Sequence, residues 1–98
     1  MRLSPDEIAA IKDAAHAAFG PGAVVRLFGS RTDDTKRGGD IDLHFEVDAG
    51  CDVNDAVPRF ENALFRRIDQ QKVDMVFSVR GRPQGPFERI GYRDGIVL

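Results

Sequence analysis

Asp40 and Asp42 stand two positions apart in the run Asp40-Ile41-Asp42-Leu43, and nine residues separate that run from the upstream segment Leu27-Phe28-Gly29-Ser30. Side chains at i and i+2 of a strand share one face, so the two carboxylates point together. They repel unless a cation lies between them, and hard oxygen donors of this kind suit Mg²⁺ or Mn²⁺. A Gly-Ser turn whose backbone N–H groups face such a cation is a place for phosphate. Gly29 permits close approach of the backbone, and Ser30 can donate from both its hydroxyl and its N–H. Arg31, next in line, is the cation best placed to neutralise a β- or γ-phosphate. Lys36 and Arg37, on the same loop, read equally well as solubilising charges. The chemistry implied is metal-dependent handling of a nucleoside triphosphate.

A third acid, Asp74, sits in Lys72-Val73-Asp74-Met75-Val76, again flanked by apolar residues. If its strand neighbours the Asp40–Asp42 strand, three carboxylates converge on one face. Three acids can hold two divalent ions about 3.5–4 Å apart, which clamps the attacking and leaving oxygens of a phosphoryl transfer. Asp74, on the separate strand, is placed to touch only the ion beside the attacking hydroxyl and to take its proton. The competing reading is three solvated residues on an open sheet. Asp is depleted in strands, and three on one face repel without a counter-charge, which favours the metal.

His44 continues this polar face, but the chain offers too few N and S ligands nearby for a Zn²⁺ site. A polar residue at the rim of the site is its expected role. Cys51 precedes a helix start without a His–Asp arrangement to activate it, and is read as a small apolar residue at a loop end.

The elements that must position these residues follow from pattern. Ser4-Pro5-Asp6-Glu7 opens a helix with a cap, a Pro at the first helical position and a capping box. Ile8, Ile11, Ala15, Ala18 and Phe19 form its buried stripe, and Gly20-Pro21-Gly22 ends it. Residues 23–28 make a first strand. Residues 29–39 are a loop, and residues 40–47 a second strand with Ile41, Leu43, Phe45 and Val47 facing the core. Asn54 or Asp55 caps a second helix, because Pro58 is tolerated in the first turn only. Val57, Phe60, Leu64 and Ile68 supply its apolar face. Residues 72–79 form a third strand with Val73, Met75, Phe77 and Val79 on one side and Asp74 on the other. Pro86 opens a short helix through Ile90, Asp94-Gly95 ends it, and Ile96-Val97-Leu98 make a terminal apolar hook. The pattern predicts an α+β fold, a small mixed β-sheet flanked by helices, in one domain over residues 1–98.

At 98 residues the chain holds one core and not two. A net charge of −2 gives no general field for nucleic acid, so direct nucleic-acid binding is not expected and a polyanion must be held locally. No apolar run approaches membrane-spanning length. The single Cys51 excludes an internal disulfide and fits the reducing cytoplasm.

The ordered set Phe28-Gly29-Ser30, then Asp40-Ile41-Asp42-Leu43, then Asp74 resembles the signature of the DNA polymerase beta-like nucleotidyltransferase superfamily. The resemblance spans residues 23–79. The small size, and an ending in which a short helix leads to Gly95 and apolar residues, resemble its minimal nucleotidyltransferase (MNT) branch. That resemblance implies a polymerase beta-like nucleotidyltransferase fold, with Gly29 and Ser30 on the triphosphate of ATP and Asp40, Asp42 and Asp74 on two Mg²⁺. The acceptor hydroxyl would attack the α-phosphate and release pyrophosphate. It further implies an antitoxin whose partner is a HEPN-type toxin ribonuclease, modified by AMP on a tyrosine. A non-enzymatic binding module is the alternative. It would cover its partner by protein contact through Phe87, Tyr92 and residues 96–98.

Overall fold

The computed structural model describes residues 3–29 and 40–98. The elements run α1 (Pro5–Phe19), β1 (Val24–Phe28), β2 (Ile41–Val47), α2 (Val53–Leu64), β3 (Val73–Val79), α3 (Pro86–Asp94) and β4 (Ile96–Val97). Helix α1 begins where its caps dictate: the Ser4 hydroxyl accepts from the Glu7 N–H at 3.1 Å and the Glu7 carboxylate accepts from the Ser4 N–H at 3.0 Å. It ends at Gly20, whose φ of 106° is open to glycine and strained for other residues.

The four strands form one mixed sheet in the order β3-β2-β1-β4. β1 pairs antiparallel with β2 and with β4, while β2 and β3 are parallel and joined through α2. The period-two pattern of β2 divides the sheet into two faces. Ile41, Leu43, Phe45 and Val47 are wholly buried on one of them, in a core with Ile11, Ala15 and Phe19 of α1 and Phe60 and Leu64 of α2. Four phenylalanines lock this layer: Phe45 lies 4.9 Å from Phe19, 5.2 Å from Phe60 and 5.1 Å from Phe77, ring centre to ring centre. The opposite, polar face is crossed by α3. The domain is therefore a compact α+β arrangement, with α1 and α2 below the sheet and α3 above it. No helix among the described residues is long and apolar enough to cross a membrane.

Two boundaries differ from the sequence reading. Helix α2 starts before Asn54, because the Asp52 carboxylate accepts from the Asp55 N–H at 3.2 Å and acts as the cap. Pro58 consequently lies inside the helix and leaves one carbonyl without its intrahelical donor. Complete burial of Ala56, Phe60 and Leu64 holds the helix together regardless. Helix α3 runs from Pro86 through Ile90 and ends at Asp94-Gly95 as expected, where the Gly95 N–H donates to the Gly91 carbonyl. The expected terminal hook is an edge strand: Leu27 faces Ile96, Arg26 faces Val97, and the Leu98 N–H donates to the Val25 carbonyl at 2.9 Å.

Helix α3 sits close to the sheet because residue 91 is glycine. A Cβ there would fall 2.6 Å from Cγ and 2.8 Å from Cβ of His44. Alanine in a helix interior ordinarily gains about 1 kcal/mol over glycine. Here the sign reverses: Gly91→Ala is expected to destabilise by about 1–3 kcal/mol, the usual cost of overpacking. Denaturant titration of the variant checks it, and unchanged or raised stability would show that α3 does not rest on His44.

Candidate functional site

Register places the acids. In the parallel β2–β3 ladder Asp42 is the partner of Asp74, and in the antiparallel β1–β2 ladder Asp42 is the partner of Phe28. The Ile41 N–H donates to the Lys72 carbonyl at 3.2 Å, which extends the ladder to the Asp40–Lys72 level. The three carboxylates thus share the polar face at the mouth of two adjacent strands, as the sequence pattern implies. The next rows toward the strand ends are Arg26, His44 and Val76, then Val24, Glu46 and Ser78.

Gly29 closes the mouth from the β1 side. Its φ is 77°, and a Cβ at this position would collide with the Asp42 carboxylate, lying 3.0 Å from its Cγ. Only glycine lets the backbone sit this close to an acid. Ser30 and Arg31, as well as Lys36 and Arg37, lie outside the described residues.

The electrostatics of the cluster are those of crowded acids. The Asp42 carboxyl is pushed above its ordinary range, first by burial, then by the charges of Asp74 and Asp40 and a hydrogen bond with Asp74, with Lys72 opposing. Lys72 is the counter-charge: its Nζ stands 3.4 Å from Asp40 Oδ2 and 3.9 Å from Asp74 Oδ1. Its alternation with Asp74, two positions on along a strand, was the available signal for this placement. Among the described residues no three His, Cys, Asp or Glu side chains are drawn together tightly enough to enclose an ion. The acids are adjacent, with an ammonium rather than a shared centre linking Asp40 to Asp74. As a donor set they remain suited to a hard divalent ion, being all oxygen and partly open to solvent, with Asp40 41% and Asp74 48% exposed at the side chain.

His44 does not sit at the rim of this cluster. It is wholly buried, because α3 crosses the sheet directly over it. Its Nε2 is 2.8 Å from Ser78 Oγ, and the Tyr92 ring packs edge-on against it with centroids 4.6 Å apart. Among the described residues Nδ1 meets no hydrogen-bond partner. A lone pair left unmatched costs less than an unmatched N–H, which puts the hydrogen on Nε2, donating to Ser78. Tyr92 belongs to the same cluster: Arg26 lies 4.7 Å above its ring, and burial, then the Glu46 charge, push its hydroxyl's pKa up. Glu46 is tied further, to Arg26 at 3.2 Å and to Arg80 at 2.8 Å. Arg80 also clamps Asp48 at 2.6 Å and the Gly22 carbonyl at 2.7 Å. These groups fix α3 and the far ends of β2 and β3, and none of them covers the acid end of the face.

Burial, and then the Arg26 charge, push the His44 imidazole below its ordinary value of 6.5, with Glu46 and Glu88 acting against them. The unfolded chain therefore binds a proton that the folded chain refuses. The stability this group permits is complete above pH 6.5 and is lost as pH falls from there toward the folded value. Thermal melts from pH 7.5 downward are expected to fall more steeply for the native chain than for His44→Gln. Parallel curves would remove His44 from the account.

Cys51 is partly buried against the core, and burial followed by the Asp52 charge pushes its thiol up. A protonated thiol is a poor nucleophile, in keeping with its reading as a packing residue.

No family model matches this chain, and no curated protein or solved structure does either.

Proposed function

We propose that residues 1–98 are a minimal nucleotidyltransferase domain of the polymerase beta-like fold. In this reading the domain transfers AMP from ATP to a hydroxyl with the help of Mg²⁺. The acceptor is a tyrosine of a HEPN-type toxin, and the domain serves as its antitoxin. The observation that carries this reading is the register of β2 against β3, which sets Asp42 beside Asp74 under the backbone of Gly29. The resemblance of the Gly-Ser and Asp-x-Asp segments suggests the reaction, and the adjacency of Asp42 and Asp74 supports it.

Asp40, Asp42 and Asp74 would hold two Mg²⁺, or Mn²⁺ in their place. Once bound, such ions supply positive charge to the triphosphate and to the oxygens entering and leaving phosphorus. The protein's own part is positioning and proton transfer. Gly29 brings backbone against the acid cluster, and the neighbouring Ser30 and Arg31 would grip the β- and γ-phosphates. Asp74 takes the proton of the attacking hydroxyl. A new O–P bond forms at the α-phosphorus as the bond to the β-phosphate bridge breaks, and pyrophosphate leaves. The cytoplasm is the proposed location, where the lone Cys51 would stay reduced.

Binding of a fluorescent ATP analogue tests the site itself. It is expected to require Mg²⁺ or Mn²⁺ and to be lost in Asp74→Asn. Binding that ignores both would contradict the metal-dependent reading.

A second reading draws on surface. Phe87 is 71% exposed and Val97 59%, with Ile90 and Ile96 also open, so α3 and β4 offer apolar area to a partner. Tyr92, engaged with His44 and Arg26, does not belong to that area. A module acting by contact alone would bind its partner without changing the partner's mass.

A further inference from the structure

Lys72 presents its carbonyl to the Ile41 N–H at the mouth of the β2–β3 ladder, so its backbone is fixed beside the acids. Its side chain is not: it is 69% exposed and bonds Asp40 and Asp74 from solvent at 3.4 and 3.9 Å. An exposed pair of this kind is weak and easily exchanged. The ammonium is a compact point charge on a flexible stem, able to follow whichever anion is most concentrated nearby. A lysine ammonium, titrating ordinarily at about 10.4, keeps its charge at neutral pH.

Resting on the nucleotidyl-transfer reading above, we propose that Lys72 is a built-in competitor for the metal. Without nucleotide it occupies the oxygens of Asp40 and Asp74 that a divalent ion needs. An arriving triphosphate, carrying more negative charge than either carboxylate, draws the ammonium onto its own oxygens and frees those two acids. Metal then loads together with nucleotide rather than ahead of it. Lys72 ends as a phosphate contact at the site it had blocked. This also accounts for acids that are adjacent yet not gathered around a common centre. The ammonium spans Asp40 and Asp74.

Calorimetric titration of Mn²⁺ into the full chain tests this, comparing the native protein with Lys72→Gln and Lys72→Arg, each with and without a non-hydrolysable ATP analogue. Without nucleotide, Lys72→Gln is expected to bind Mn²⁺ about threefold to tenfold more tightly, the effect of one unit charge at about 4 Å in a water-like dielectric, which suits a side chain this exposed. Lys72→Arg should stay near the native affinity. The analogue should raise Mn²⁺ affinity more in the native chain than in Lys72→Gln, since only the native chain has an ammonium to displace. Native Mn²⁺ binding with an equal or weaker affinity in Lys72→Gln overturns the competitor role alone and leaves the metal site standing. Absence of Mn²⁺ binding in every protein, with and without the analogue, overturns the site and the competitor together. Superimposable circular dichroism spectra confirm that the variants compared are folded, which a side chain this exposed allows.

Discussion

Asp42→Asn is expected to cut nucleotidyl transfer about a thousandfold while making the metal-free protein more stable. The loss is the scale of removing one fixed group that stabilises charge in a transition state. The gain has a separate origin. Burial and the charges of Asp74 and Asp40 raise the Asp42 pKa above its ordinary 3.8. Between the unfolded and the folded value the unfolded chain ionises first, so the favourable contribution of this group is present at low pH. It disappears as pH rises through the folded value. At neutral pH the folded chain carries the whole penalty, and an uncharged isostere removes it. A like-charge pair directly opposite across a ladder costs about 0.2–1 kcal/mol, and the denaturation midpoint should rise accordingly. Added Mg²⁺ should stabilise the native protein and not the variant. Unchanged transfer, or a metal-free variant less stable than the native chain, would falsify the assignment of Asp42.

Phe45→Ala is expected to have the largest effect on stability, about 3–5 kcal/mol. Phe45 is completely buried and touches Phe19, Phe60 and Phe77, so its removal empties the junction of α1, α2 and the sheet. A domain of this size has about 5–15 kcal/mol in total, and the variant should therefore lie close to its unfolding midpoint at 37 °C. Chemical denaturation measures it. A loss below about 1 kcal/mol would mean that the core closes around the gap, outside the range seen for such truncations.

The elements whose formation depends on local chemistry follow directly from the residues. The Ser4–Glu7 box and Gly20 bound α1, and strict alternation in β2 and β3 separates core from polar face. What alternation cannot supply is which strand lies beside which. The convergence of Asp42 with Asp74 was conditional on adjacency, and adjacency is a property of the α2 crossover and the core beneath it. His44 marks the sharper limit. Its place in the alternation was right, on the face shared with Asp42, yet the row it occupies is roofed by α3. That roof depends on a glycine 47 positions downstream in sequence, at Gly91, which nothing near His44 announces. The Pro58 rule misplaced the start of α2 because burial of Ala56, Phe60 and Leu64 outweighs one missing hydrogen bond. Residues 96–98 read as a hook because two residues are too few for alternation to declare a strand.

In the proposed reaction the Asp40–Asp42–Asp74 site moves AMP onto a hydroxyl presented by a partner. Intact-mass measurement of the proposed partner, a HEPN-type ribonuclease incubated with this protein, ATP and Mg²⁺, decides it. The expected result is the mass of at least one added AMP on the partner, dependent on ATP and Mg²⁺ and absent with Asp40→Ala. A stable complex without any gain in mass, or a gain that persists in Asp40→Ala, would contradict it.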